Sequence, residues 1–181
     1  MMGNIFEVVV SKCAPQDYIL LAFAALCAVT DAGKKKIYNW ATFPAIIIGL
    51  GLGFIYGGLR GAGAALAGAA AGFFILYFFW AAGGVGAGDV KFLMGVGALK
   101  GVLFAVKGAI SGIFVAGIAT ILWMTANGVF VRSLKNVLIP LYTSFVSGFK
   151  ISPMPTTKSP TLPFGFYLAL GVIGYWFYGM L

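Results

Sequence analysis

The chain contains no histidine, two cysteines and only four acidic residues among 181. Without histidine, imidazole-based acid–base catalysis is excluded and little is left for a zinc or haem site. Cys13 and Cys27 form no C-x-x-C pair and no metal-ligand spacing, and Cys27 lies in an apolar run where it reads as packing. Charge of either sign is sparse, at 9% of residues against 61% hydrophobic. A soluble domain of this length cannot cover its surface with so little polarity, and the 27 glycines suit membrane helices. These limits point to an all-α polytopic membrane protein, a single domain over residues 1–181. A net charge of +8 would suggest nucleic acid in a soluble chain. No basic stripe with interleaved aromatics is present, so no nucleic-acid partner is expected. The basic residues are read as fixing topology and facing anionic lipid in the bilayer.

What the chain does have is about six apolar segments. After a preamble over residues 1–16, residues 18–30 read as the first membrane helix, with Pro15 suited to its first turn and Asp17 complementing its dipole. A cleaved signal peptide is the competing reading, but Lys34, Lys35 and Lys36 follow the run instead of preceding it. A polar turn over residues 31–39 leads to a second span at 40–56, a tight loop at 57–63 and a third span at 64–82. The segment opening at Asp89 is apolar only to Leu99, short of the roughly 30 Å of hydrocarbon. Either Lys100 snorkels and this helix runs on to Phe104, or the segment is partly re-entrant. Residues 108–126 form a fifth span and 162–180 a sixth, joined by a basic cytoplasmic loop at 132–161 that begins like an interfacial helix. With the N-terminus outside, Lys34, Lys35, Lys36, Lys91, Arg132, Lys135, Lys150 and Lys158 lie inside. Lys12, Arg60, Lys100 and Lys107 then lie outside, as the positive-inside rule expects. Glycines at four-residue spacing, such as Gly49/Gly53 and Gly68/Gly72, are read as helix packing and not as a dimer code.

Beyond Glu7 in the preamble and Asp17 at the start of the first helix, only Asp31 and Asp89 are acidic. A carboxylate near a bilayer is costly and reads as functional by default. The topology puts both at the cytoplasmic ends of their helices, so they are expected to work as a pair. Two carboxylates held close share a proton; one can activate water while the other protonates a carbonyl or a leaving amine. Gly86 and Gly88 beside Asp89 would let backbone approach closely. Each aspartate has a plainer reading, Asp89 as a helix cap and Asp31 as a turn residue neutralised by Lys34 or Lys35. Lys91 reads as an interface lysine before it reads as a base.

At these residues the chain resembles the type IV prepilin peptidases, the GxGD class of membrane aspartic proteases. Gly86-Ala87-Gly88-Asp89-Val90-Lys91 matches the family's Gly-x-Gly-Asp-x-Lys motif. Asp31 leads to Ile37-Tyr38-Asn39 with the family's spacing, with tyrosine in place of the usual proline. A weaker likeness is Pro163-Phe164-Gly165 before the last helix, with Phe166 where the family often has proline. The resemblance implies cleavage of the basic leader of a prepilin or preflagellin substrate at the cytoplasmic face of the inner membrane. It implies Asp31 and Asp89 as the catalytic pair, supported by Gly86, Gly88 and Lys91, with no metal and no cofactor. The two C-x-x-C pairs and the cytoplasmic insertion of the larger, methylating members are missing from this sequence, so a peptidase without methyltransferase activity is expected. Cleavage inside a substrate's membrane span, or a non-enzymatic proton-coupled carrier, would use the same aspartates.

Overall fold

The computed structural model describes residues 14–81, 84–128 and 163–180. Most of the preamble and all of the loop at 132–161, with Arg132, Lys135, Lys150 and Lys158, lie outside the described residues. The described residues form five helices: α1 (Pro15–Lys34), α2 (Asn39–Ala81), α3 (Ala87–Lys100), α4 (Val102–Ala126) and α5 (Phe164–Tyr178). The chain divides into two compact units, residues 1–116 with 163–181, and residues 117–162. Of the second, the described part is the end of α4 and the turn after it. The first holds Asp31, Asp89 and the helices packed around them.

At 43 residues α2 is twice the length a bilayer needs, and it is folded in two. Gly58 takes φ 58° and ψ −145°, outside the helical region, and the chain reverses there. The two limbs, 39–57 and 59–81, are each on the order of 30 Å long at about 1.5 Å per residue. They approach so closely that a Cβ on Gly53 would come within 2.7 Å of the Gly61 carbonyl oxygen. The expected loop at 57–63 is therefore reduced to one residue, because glycine alone enters that conformation without a steric penalty.

Both limbs lean on α3. A Cβ on Gly49 would lie 2.6 Å from the Ala98 carbonyl carbon, and Cβ atoms on Gly68 and Gly72 would strike the Gly97 and Leu93 carbonyls. Gly112 of α4 and Gly171 of α5 meet in the same way. These glycines give up side chains so that backbones can touch. The large side chains with almost no exposure (Phe92, Leu20, Leu76, Leu93, Leu168, Val96 and Val172) gather around α3, which is enclosed by α1, α2 and α5.

Among the described residues, α2 and α4 are the helices long and apolar enough to cross a membrane. Their outward faces carry Ile47, Ile55, Leu59, Phe78, Leu103, Ile110 and Phe114, all exposed. Such a surface suits lipid and not water. α5 is apolar but has 15 residues, and α3 has 14, about 21 Å.

Two boundaries bear on the site. α1 continues through Asp31 to Lys34 and stops at Lys35, which is left-handed at φ 51°, so Asp31 stands in the last helical turn and not in a polar turn after it. Lysine near a helix C-terminus complements the dipole, which favours the extra turn. Secondly, of the alternatives left open for the segment opening at Asp89, the continuation to Phe104 is not adopted: α3 ends at Lys100. Gly101 breaks the chain at φ 82°, and α4 starts directly at Val102.

Candidate active site

α1 delivers Asp31 in its last turn, and α3 delivers Asp89 in its first. Both are buried, each with 6% of its surface exposed. Asp89 Oδ2 accepts the Gly86 N–H at 3.1 Å, closing the start of α3 as a carboxylate three residues into a helix can. Its Oδ1 is left facing α5. Asp31 Oδ2 accepts the Phe166 N–H at 2.8 Å, and the Gly165 backbone beside it also favours the charged carboxylate. The point where the carboxyls meet is Gly165. A Cβ there would lie 2.6 Å from Asp89 Oδ1, 2.8 Å from Ile37 Cδ1 and 3.0 Å from Asp31 Cγ.

The glycines of the Gly-x-Gly-Asp stretch have separate jobs. Gly86 supplies the N–H that holds Asp89. Gly88 faces Ile37, whose Cβ a Gly88 Cβ would approach to 3.0 Å, so the space it opens is filled by the α1–α2 connection. Lys91 Nζ donates to Asn39 Oδ1 at 2.8 Å on the exposed side, tying α3 to the start of α2. Tyr38 stacks on Trp40 with ring centroids 6.3 Å apart, and Lys34 Nζ lies 6.0 Å over its ring. A pocket of about 360 Å³ opens here, lined by both aspartates, Gly86 to Gly88 and the chain from Lys35 to Asn39. Of the five residues singled out from the sequence, Asp31, Gly86, Gly88 and Asp89 thus line one concavity, and Lys91 reaches its edge through Asn39.

Asp31 follows the apolar run of α1, and Asp89 opens a helix too short to span, so both lie at the mouth of the bundle. Burial, and then the Asp31 charge, push the Asp89 carboxyl up to about 7, against the pull of the Gly86 N–H. Burial also raises Asp31, but the Phe166 N–H, the Gly165 backbone and the Lys35 charge oppose it. Near neutral pH the arrangement suits one proton held between two carboxyls, with the negative charge favoured on Asp31. Among the described residues no cluster of histidine, cysteine or carboxylate could hold a metal ion.

Sequence reasoning undervalued Gly165 and Phe166, whose likeness to a family pattern was faint because their work is done by backbone. It also passed over Asp17, set aside with the preamble, which is buried beside Lys100 and Trp176.

The described residues are helical, with lipid-suited helices and two carboxyls converging on one glycine. The chain belongs to the type IV leader peptidase family, whose family model matches residues 18–125. Membership implies a peptidase. No curated protein and no solved structure matches the chain.

Proposed function

We propose that the protein is a membrane aspartic endopeptidase that removes the basic leader of a prepilin or prepilin-like substrate, with Asp31 and Asp89 as its catalytic pair. The observation that carries this reading is the convergence of both carboxyls on the Gly165 backbone at a pocket mouth. Asp31, whose charged form the Phe166 N–H supports, is the base: it takes a proton from water as the water oxygen attacks the scissile carbonyl carbon. Asp89 gives its proton to the carbonyl oxygen. Collapse of the resulting gem-diol breaks the C–N bond: the proton on Asp31 passes to the departing amine, and a gem-diol hydroxyl returns its proton to Asp89 as the carbonyl re-forms. Gly86 positions Asp89, Gly88 seats Ile37, and Lys91 ties the two motif segments together. The site faces the cytoplasm, where Lys34, Lys35 and Lys36 flank it, and the activity requires no cofactor and includes no methyl transfer.

The test is cleavage of a prepilin in proteoliposomes by the wild type, Asp31→Asn and Asp89→Asn, read as a gel shift. The wild type should cut, and each variant, still folded, should not. Cutting by either variant would remove the dyad. Proton flux in vesicles that lack substrate would favour a carrier instead.

A further inference from the structure

Each helix that brings an aspartate to the pocket carries a second charged residue at its other end. Asp17 lies in the first turn of α1 and Asp31 in its last; Asp89 lies in the first turn of α3, which ends at Lys100. Lys100 Nζ donates to Asp17 Oδ1 at 2.7 Å. Trp176 Nε1 of α5 donates to the same oxygen at 2.7 Å, and the Ala14 N–H donates to Oδ2 at 2.9 Å. The Asp17 side chain is only 8% exposed and that of Lys100 22%. Enclosing an ion pair costs desolvation that attraction only partly offsets, so such a pair is a poor source of stability. Its placement calls for another reason.

The helices around the site pack in pairs. α3 lies chiefly along α2, and α1 chiefly along α5, with lighter contact between α1 and α3. Asp31 therefore belongs to one pair and Asp89 to the other. Between the two ends of the seam Phe23 of α1 stacks on Phe92 of α3 at 5.3 Å, in space that Gly95 leaves open. A rotation of α1 about that contact would move Asp17 and Asp31 in opposite directions, as the two ends of a lever.

We propose that Asp17 and Lys100 are positioning residues: an ion pair at one end of the α1–α3 seam that sets the separation of the Asp31 and Asp89 carboxyls at the other. Trp176 shares the cluster but not the seam, because it joins α5 to α1 within one helix pair. A cavity of about 510 Å³ beside Lys100, lined also by Phe104 and Tyr175, leaves room for an arginine in its place.

The four side-chain carboxyls are few enough for each infrared carboxyl band to be assigned with Asn or Gln variants. The Asp31–Asp89 titration is then followed in nanodiscs for the wild type, Lys100→Met, Lys100→Arg and Trp176→Phe. Loss of the clamp widens the pair and weakens its coupling, so Lys100→Met should lower the upper titration midpoint by on the order of one pH unit. Lys100→Arg should restore it, and Trp176→Phe should lower thermal stability while leaving the midpoint in place. If Lys100→Met does not fold, Lys100→Gln, which keeps a donor without the charge, should shift the midpoint by less in the same direction. A wild-type midpoint in the folded Lys100 variant, or an equal shift in Trp176→Phe, overturns the proposal. The titration needs no substrate, so it is independent of the peptidase reading. Only the consequence for cleavage, about a tenfold fall in kcat with KM unchanged, rests on that reading.

Discussion

The Phe166 backbone N–H donates to Asp31 Oδ2 at 2.8 Å, across 135 residues of sequence. The start of α5 is thereby joined to the end of α1, and Gly165, one residue earlier, is brought between the two carboxyls. No side chain takes part in this contribution from α5, so it is open to steric tests.

Gly165→Ala should abolish most cleavage. The new methyl would press on Asp89 Oδ1, Ile37 and Asp31 together. A displacement of about 1 Å at a reacting group costs roughly 100-fold in rate, whereas overpacking one methyl costs about 1–3 kcal/mol of stability. Initial rates and a thermal melt of the purified variant separate the two effects: the rate should collapse while the protein stays folded.

Cleavage should fall on the alkaline side of neutrality. In the proposed mechanism the pair holds one proton, and Asp89, pushed up to about 7, loses it as the pH rises through that value. At low pH the second carboxyl is also protonated and no base remains. The profile is then a bell, with its alkaline limb near 7 and a tenfold loss per pH unit beyond it. Rates measured from about pH 5 to about pH 9 would show this, and a plateau through the upper half would refute it.

Lys91 should matter less than its place in the Gly-x-Gly-Asp-x-Lys stretch suggests. Its hydrogen bond to Asn39 is on the exposed side, where such contacts contribute about 1 kcal/mol or less. In a double-mutant cycle, Lys91→Ala and Asn39→Ala should each lower stability slightly and show a coupling of that size. Cleavage by Lys91→Ala should stay within about threefold of the wild type. Loss comparable to Asp89→Asn would give Lys91 a direct role in the chemistry.

The glycines of α2 should divide into two groups. Gly72→Ala would drive a methyl into the Leu93 backbone, costing about 1–3 kcal/mol. A Cβ on Gly57 would meet nothing within 4 Å. Gly57→Ala should be neutral or stabilise by up to about 1 kcal/mol. Thermal melts in one detergent would rank them.

Asp31 and Asp89 were legible because acids are so rare here that each had to be explained, and because their flanking residues are local patterns. The apolar segments were legible for the same reason: composition and length act over short stretches. The end of α3 was not. Leu99-Lys100-Gly101-Val102 leaves a continuing helix and a short one both open, and the backbone angle of Gly101 shows the break. Asp17 was hidden because its partners, Lys100 and Trp176, lie 83 and 159 residues away, and nothing in the local sequence marks them. Gly165 and Phe166 act through backbone groups that every non-proline residue carries, so their role comes from position alone.

Asp17 and Asp89 begin their helices alike, each returning one carboxyl oxygen to the N–H three residues before it. An asparagine side chain keeps an oxygen that can accept that same N–H. At Asp89 the proposed chemical duty and the architectural one can therefore be separated by exchanging a single atom. Asp89→Asn should be a silent enzyme with an intact helix start, able to hold an uncut substrate long enough for the complex to be imaged.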